Sequence, residues 1–78
     1  MYIKNCIALP NYIIIVLFSN NRVEILNIKD EIFGGYAKDL RNLDTFLNIK
    51  FTKNHLYWGK DQFESILDIH VDQIIKNL

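Results

Sequence analysis

The segment Tyr12-Ile13-Ile14-Ile15-Val16-Leu17-Phe18-Ser19-Asn20-Asn21-Arg22-Val23-Glu24-Ile25-Leu26-Asn27-Ile28 decides the fold of this chain. Two β-prone runs flank the polar pair Asn20-Asn21, a strong short-range hairpin signal. Asn accepts φ > 0 better than other non-glycine residues, so the pair predicts a two-residue type I′ turn. That turn sets Ser19 opposite Arg22, Phe18 opposite Val23, Val16 opposite Ile25 and Ile14 opposite Asn27. One face then carries Ile14, Val16, Phe18, Val23 and Ile25. The other carries Ile13, Ile15, Leu17, Glu24, Leu26 and Ile28. The apolar run from Tyr12 to Phe18 is too short to cross a bilayer.

Upstream, Ile3 to Leu9 reads as a first strand, ended at Leu9-Pro10-Asn11 because Pro removes a ladder donor and Asn suits a turn. Downstream, Lys29 to Phe33 reads as a short turn or strand end, broken by Gly34-Gly35. Asn42 is placed to cap a short helix over Leu43-Asp44-Thr45-Phe46-Leu47, with Leu43, Phe46 and Leu47 on one face and Asp44 favoured by the helix dipole. Ile49-Lys50-Phe51 and Leu56-Tyr57-Trp58 alternate like a second hairpin turning near Lys53-Asn54, with Ile49, Phe51, Leu56 and Trp58 facing the core.

From Lys60 to Leu78 two readings compete. Phe63, Leu67, Val71, Ile74, Ile75 and Leu78 share one helical face, and Asp61 with Glu64 resembles a capping box, so the pattern favours one long helix. Alternatively Ser65 to Ile69 is a closing strand followed by a short helix from Val71 to Asn77. The expectation is a single α+β domain over residues 1–78. It comprises a small, mainly antiparallel sheet in the order β-β-β-α-β-β, with a short central helix and a C-terminal helix.

Size and charge narrow the function classes. With 78 residues the chain is near the lower end of independent folding, and half its residues are hydrophobic, as in a globular domain. Nine Lys and Arg balance nine Asp and Glu, so the excess cation that drives non-specific nucleic-acid binding or membrane anchoring is missing. The single cysteine, Cys6, excludes an internal disulfide and a multi-cysteine zinc site. Residues 1–10 are too polar and short for a signal peptide, and a cytoplasmic setting is expected.

Several segments resemble a known family. Leu9-Pro10-Asn11-Tyr12, the run to Phe18-Ser19-Asn20-Asn21, then Val23-x-Ile25 and Ile28 look like the start of the small bacterial proteins catalogued as domain of unknown function 2442. Those usually have Asp-Gly or Asn-Gly where this chain has Asn20-Asn21. Leu40-Arg41-Asn42-x-x-x-Phe46-x-x-Ile49 resembles their short helix and the strand after it. Leu56-x-Trp58 and Asp68-Ile69-x-x-Asp72-x-Ile74 resemble their tryptophan strand and closing segment. Two features depart from that pattern: extra residues between Trp58 and Asp68, and Ile13, Ile15 and Leu17 at usually polar positions. The resemblance implies a compact sheet-and-helix domain without an established activity, so it carries over no catalytic residue.

The chemistry-bearing residues do not converge in the sequence. His55 and His70 lack further ligands at metal spacing and read as surface histidines, so no metal or cofactor is expected. Cys6 sits in an alternating strand and reads as a buried thiol rather than a nucleophile. Asp30 and Glu31 are adjacent and point apart, and Gly34-Gly35 lacks the continuation of a phosphate loop. Nucleophile, base and oxyanion donors cannot all be named, so an enzyme is not expected. Trp58 reads as core packing. Lys50, Lys53 and Lys60, with Tyr57 and His55, are a candidate basic edge for RNA or an acidic protein, set against an ordinary solvated face.

The apolar surplus is the strongest functional signal. If Ile14, Val16 and Phe18 face the core, then Ile13, Ile15, Leu17, Leu26 and Ile28 crowd the opposite face. Either the C-terminal helix covers them or they form a protein interface. The leading expectation is a non-enzymatic protein-binding module acting through an apolar sheet face or edge, on itself or on a larger partner. Two alternatives are a phage- or mobile-element-encoded inhibitor of a bacterial defence nuclease, and an accessory domain that touches nucleic acid weakly or indirectly.

Overall fold

The computed structural model describes residues 1–35, 37–60 and 64–75. They form a small α+β fold of two three-stranded antiparallel sheets joined by short helices. Sheet 1 comprises β1 (Ile3–Leu9), β2 (Ile13–Phe18) and β3 (Val23–Asn27), in chain order. Then follow α1 (Lys29–Phe33), a 3₁₀ turn (Lys38–Arg41) and α2 (Leu43–Leu47). Sheet 2 comprises β4 (Lys50–Phe51), β5 (His55–Gly59) and β6 (Ser65–His70), and α3 (Val71–Ile75) follows.

The hairpin of sheet 1 forms, but one residue out of the expected register. Val16 pairs with Glu24 and Ile14 with Leu26, instead of Ile25 and Asn27. The loop has three residues: Asn21 N–H donates to Phe18 O at 2.9 Å, and Phe18 N–H donates to Arg22 O at 2.8 Å. Asn21 takes φ 67°, whereas Asn20 keeps a negative φ. A type I turn closed by one left-handed residue needs a single positive φ, while the two-residue type I′ turn needs two. With no glycine in Ser19-Asn20-Asn21, the cheaper loop forms. A one-residue slip exchanges the faces of the whole strand. Leu26 and Ile28 therefore join the core side, and Val23 and Ile25 turn outward.

The inner face of sheet 1 is closed tightly. Ile14, Val16 and Phe18 are fully buried, beside Ile3 from β1. Leu56 and Trp58 supply the matching positions of sheet 2, and Ile32, Leu40, Phe46, Val71 and Ile74 from the helical pieces complete the same cluster. Full burial of side chains this size removes about 1.5–3 kcal/mol of exposure cost apiece. The Trp58 indole lies nearly parallel to the Phe46 ring at 5.7 Å and donates its Nε1–H to Phe46 O at 2.8 Å. That bond satisfies the one polar atom the burial would strand. Asn42 caps α2 as its spacing implies, accepting from Thr45 N–H at 3.2 Å.

Two local conformations pin the connections. Tyr12 adopts φ 61° between β1 and β2, unusual for a bulky residue. Its hydroxyl donates to Arg41 O at 2.8 Å, and its ring meets Phe46 at 4.9 Å and Phe33 at 5.3 Å. Gly59 sits at a register shift between β5 and β6 with φ 126°, where a Cβ would lie 2.9 Å from Glu64 O. Glycine is needed there on both counts.

The C-terminal segment takes the strand reading. Leu56 pairs with Ile69 and Trp58 with Leu67, so residues 65–70 add a strand to the second hairpin. The single long helix is thereby replaced by β6 and the short α3. Open donors and acceptors along β5 explain this, since a strand satisfies them and a helix would not. The capping-box residue Asp61, together with Phe63 and Leu78 of the expected stripe, lies outside the described residues. Lys29 to Phe33, expected as a turn or strand end, is a helical turn with Ile32 buried.

Candidate functional site

The side of sheet 1 away from the core is apolar and open. Antiparallel register aligns Ile7 with Ile15, Leu9 with Ile13 and Ile15 with Ile25, while Leu17 pairs with Val23. Side chains alternate along strands, so these seven residues share the outer face. Ile7 is 54%, Val23 53% and Ile25 68% exposed. Ile13, Ile15, Leu17 and Leu9 are half-buried by their own neighbours. The polar residues at the paired outward positions are Asn5 and Asn27; the one charged residue within β1, Lys4, is exposed at the irregularity between Ile3 and Asn5, at the end of the face.

The expected interface residues consequently divide. Ile13, Ile15 and Leu17 lie on the open face, whereas Leu26 packs partly against the core and Ile28 is only 6% exposed. Val23 and Ile25 replace them. The slipped register is the cause, and the signal for it was the turn's count of positive-φ positions. The C-terminal helix does not cover the outer face, because α3 sends Val71 and Ile74 into the core.

The candidate basic edge does not assemble. Lys50 and Tyr57 are cross-strand partners, but the Lys50 ammonium is engaged by the Gly59 carbonyl at 2.8 Å. Lys53 lies at the hairpin turn, its ammonium 5.5 Å from the Tyr2 ring. Lys60 stands at the opposite end of β5, 3.9 Å from Glu64 in an exposed i,i+4 pair. The three cations thus serve three separate local contacts.

On the outer face of sheet 2, His55 and His70 are cross-strand neighbours with ring centroids 4.7 Å apart, edge to face. His55 therefore opens β5, just past the turn near Lys53-Asn54. Its Nε2 is 4.0 Å from Asp68 Oδ2, and its Nδ1 is buried without a hydrogen-bond partner among the described residues. His70 Nδ1 accepts from Asp72 N–H at 3.0 Å. Among the described residues no group of three or more His, Cys, Asp or Glu is placed to hold a metal ion.

Cys6 points to the core side of β1 beside Ala8. Burial pushes its thiol pKa up to about 11, because desolvation disfavours the thiolate. A nucleophilic cysteine requires the opposite shift.

A cleft of about 610 Å³ opens between β3 and β6, floored by Leu26, Ile28, Leu67 and Ile74 and bordered by Glu31 and Asp68. The opposite edges of the two sheets meet: Ile3 N–H donates to Lys53 O at 2.8 Å. The sheets therefore open like a book toward the β3–β6 side. No helix among the described residues is long and apolar enough to cross a membrane. No family model, no curated protein and no solved structure matches this chain.

Proposed function

We propose that this protein is a protein-binding module that works through the outer face of sheet 1, with a second copy of the chain as the occupant. The single observation that carries the reading is the exposure of Ile7, Val23 and Ile25 on a face built from seven apolar side chains. Such side chains forgo about 1.5–3 kcal/mol each when left fully in water, and contiguous apolar patches mark contact surfaces. A face whose paired positions carry no charge is self-complementary: with Lys4 at its end, two copies meet without burying unpaired ions at its centre.

The size of the face sets the strength of the contact. Three strands about 4.8 Å apart and five to seven residues long cover roughly 300 Å² in projection. That is well below the ~800 Å² per partner of a standard stable interface. Association is therefore reversible and concentration-dependent. Sedimentation equilibrium across a wide concentration range tests it. The wild type should shift from monomer toward dimer as concentration rises, and Ile7→Lys should remain monomeric with an unchanged circular dichroism spectrum. Identical association of the two proteins would remove the outer face from the account.

A further inference from the structure

We propose that the cleft between β3 and β6 receives an extended, cationic segment of a partner protein, which adds to these strands as a further strand. Sheet topology supplies the first reason. Among the described residues β3 and β6 are each paired on one side only, so each presents an open edge. The ladder bonds show which groups are open. Phe18 N–H donates to Arg22 O and Ile28 N–H donates to Tyr12 O, bracketing the β2–β3 ladder. Antiparallel alternation then turns Glu24 and Leu26 toward β2, and directs the backbone groups of Val23, Ile25 and Asn27 outward. On β6, Val71 N–H donates to Asn54 O, which sets Leu67 and Ile69 toward β5 and turns the backbone of Ile66 and Asp68 outward. Two rows of main-chain donors and acceptors thus border one cleft, which is the requirement for strand addition.

The lining supplies the second reason and selects the occupant. The floor is apolar, from Leu26, Ile28, Leu67 and Ile74, and suits alternate apolar side chains of an extended segment. The charged lining residues are Glu24, Glu31 and Asp68, all acidic. Arg22 engages Glu24 at 2.9 Å, and His55 approaches Asp68 at 4.0 Å. The border remains net negative, so Lys or Arg at the alternate positions of the incoming strand is favoured and an acidic segment is repelled. This cleft meets the outer face of sheet 1 along β3, where Ile25 and Asn27 border both, but Ile7 and the rest of that face lie outside it, so the two surfaces are tested apart.

The test uses the full chain and a short fluorescein-labelled peptide alternating Lys and Val, with a Glu–Val peptide of equal length as its counterpart. Anisotropy should report saturable binding of the lysine peptide, weakened by salt, and at least about tenfold weaker binding of the glutamate peptide. Glu31→Gln with Asp68→Asn, both surface changes that leave the core untouched, should weaken the lysine peptide several-fold, while Ile7→Lys should not. Hydrogen exchange should slow at alternating amides of β3 or β6 when the lysine peptide is added. Equal binding of both peptides, or exchange protection that avoids these edges, would overturn the proposal. So would a concentration-dependent dimer that excludes the peptide and is abolished by the Glu31/Asp68 variant, because a second copy would then hold the cleft.

Discussion

The two sheets of this protein share a plan and differ in the surface they show. Each has three antiparallel strands and an inner face closed by large side chains, Phe18 with Val16 in sheet 1 and Trp58 with Leu56 in sheet 2. Outward, sheet 1 presents Ile7, Ile15, Ile25 and their neighbours, while sheet 2 presents His55, Tyr57, Asp68 and His70. Sheet 2 follows the usual solution for an antiparallel sheet with one face in water. Sheet 1 departs from it, with Ile7 and Ile25 both more than half exposed. On the proposed reading, the difference separates what the chain needs in order to fold from what its surface is for.

If that separation holds, the inner faces should be equally costly to damage. Phe18→Ala and Trp58→Ala should each lose about 3–5 kcal/mol of stability, measured by urea denaturation, because both empty a fully buried site. A small loss for either would mean that one sheet contributes little to the core. The next effect distinguishes two glycines. Gly59→Ala should cost about 1–3 kcal/mol, since the added Cβ meets Glu64 O at 2.9 Å and φ is 126°. Gly35→Ala, with φ 113° but open space around it, should cost less. Asn42→Ala should cost about 0.5–2 kcal/mol through loss of the α2 cap.

The outer faces should respond in the opposite way. Ile7→Lys should change stability by no more than about 0.5 kcal/mol, while changing association. Tyr57→Ser, on the outer face of sheet 2, should leave association as it was.

Alkaline pH supplies a test confined to the inner side of β1. The Cys6 thiol ionises near 11 in the folded protein against a reference of 9.0, so the unfolded chain loses its proton first. Stability should be unaffected below about pH 9, fall as pH rises from there, and level off with respect to this group above about 11. Alkylation of Cys6 by iodoacetamide at pH 8 should be slow in the folded protein and fast in urea. Rapid alkylation without urea would contradict its burial.

Much of this was legible in the sequence, and the failures have specific causes. Alternation, turn residues and capping located β1, β2, the second hairpin and the Asn42-capped helix, because those signals are local. The register of β3 was missed by one residue because Asn20-Asn21 fits two loop types that differ in how many positive φ angles they demand. That slip carried Leu26 and Ile28 into the core and brought Val23 and Ile25 out, altering two of the five candidate interface residues. The tail stays open between two readings because the helical stripe of Leu67, Val71 and Ile74, which favours one long helix, is also compatible with a strand followed by a helical turn, the alternative that forms. Only the open edge of β5, a non-local feature, decides between them. The β3–β6 cleft was invisible for the same reason, since its walls are far apart in the chain.

The central claim, that sheet 1 carries a contact surface on its outer face, is tested most directly by sedimentation equilibrium of the wild type beside Ile7→Lys. The wild type should form a reversible dimer at high concentration, and the variant should be a folded monomer at every concentration. A wild type that stays monomeric throughout, or a variant that dimerises as readily, would contradict it.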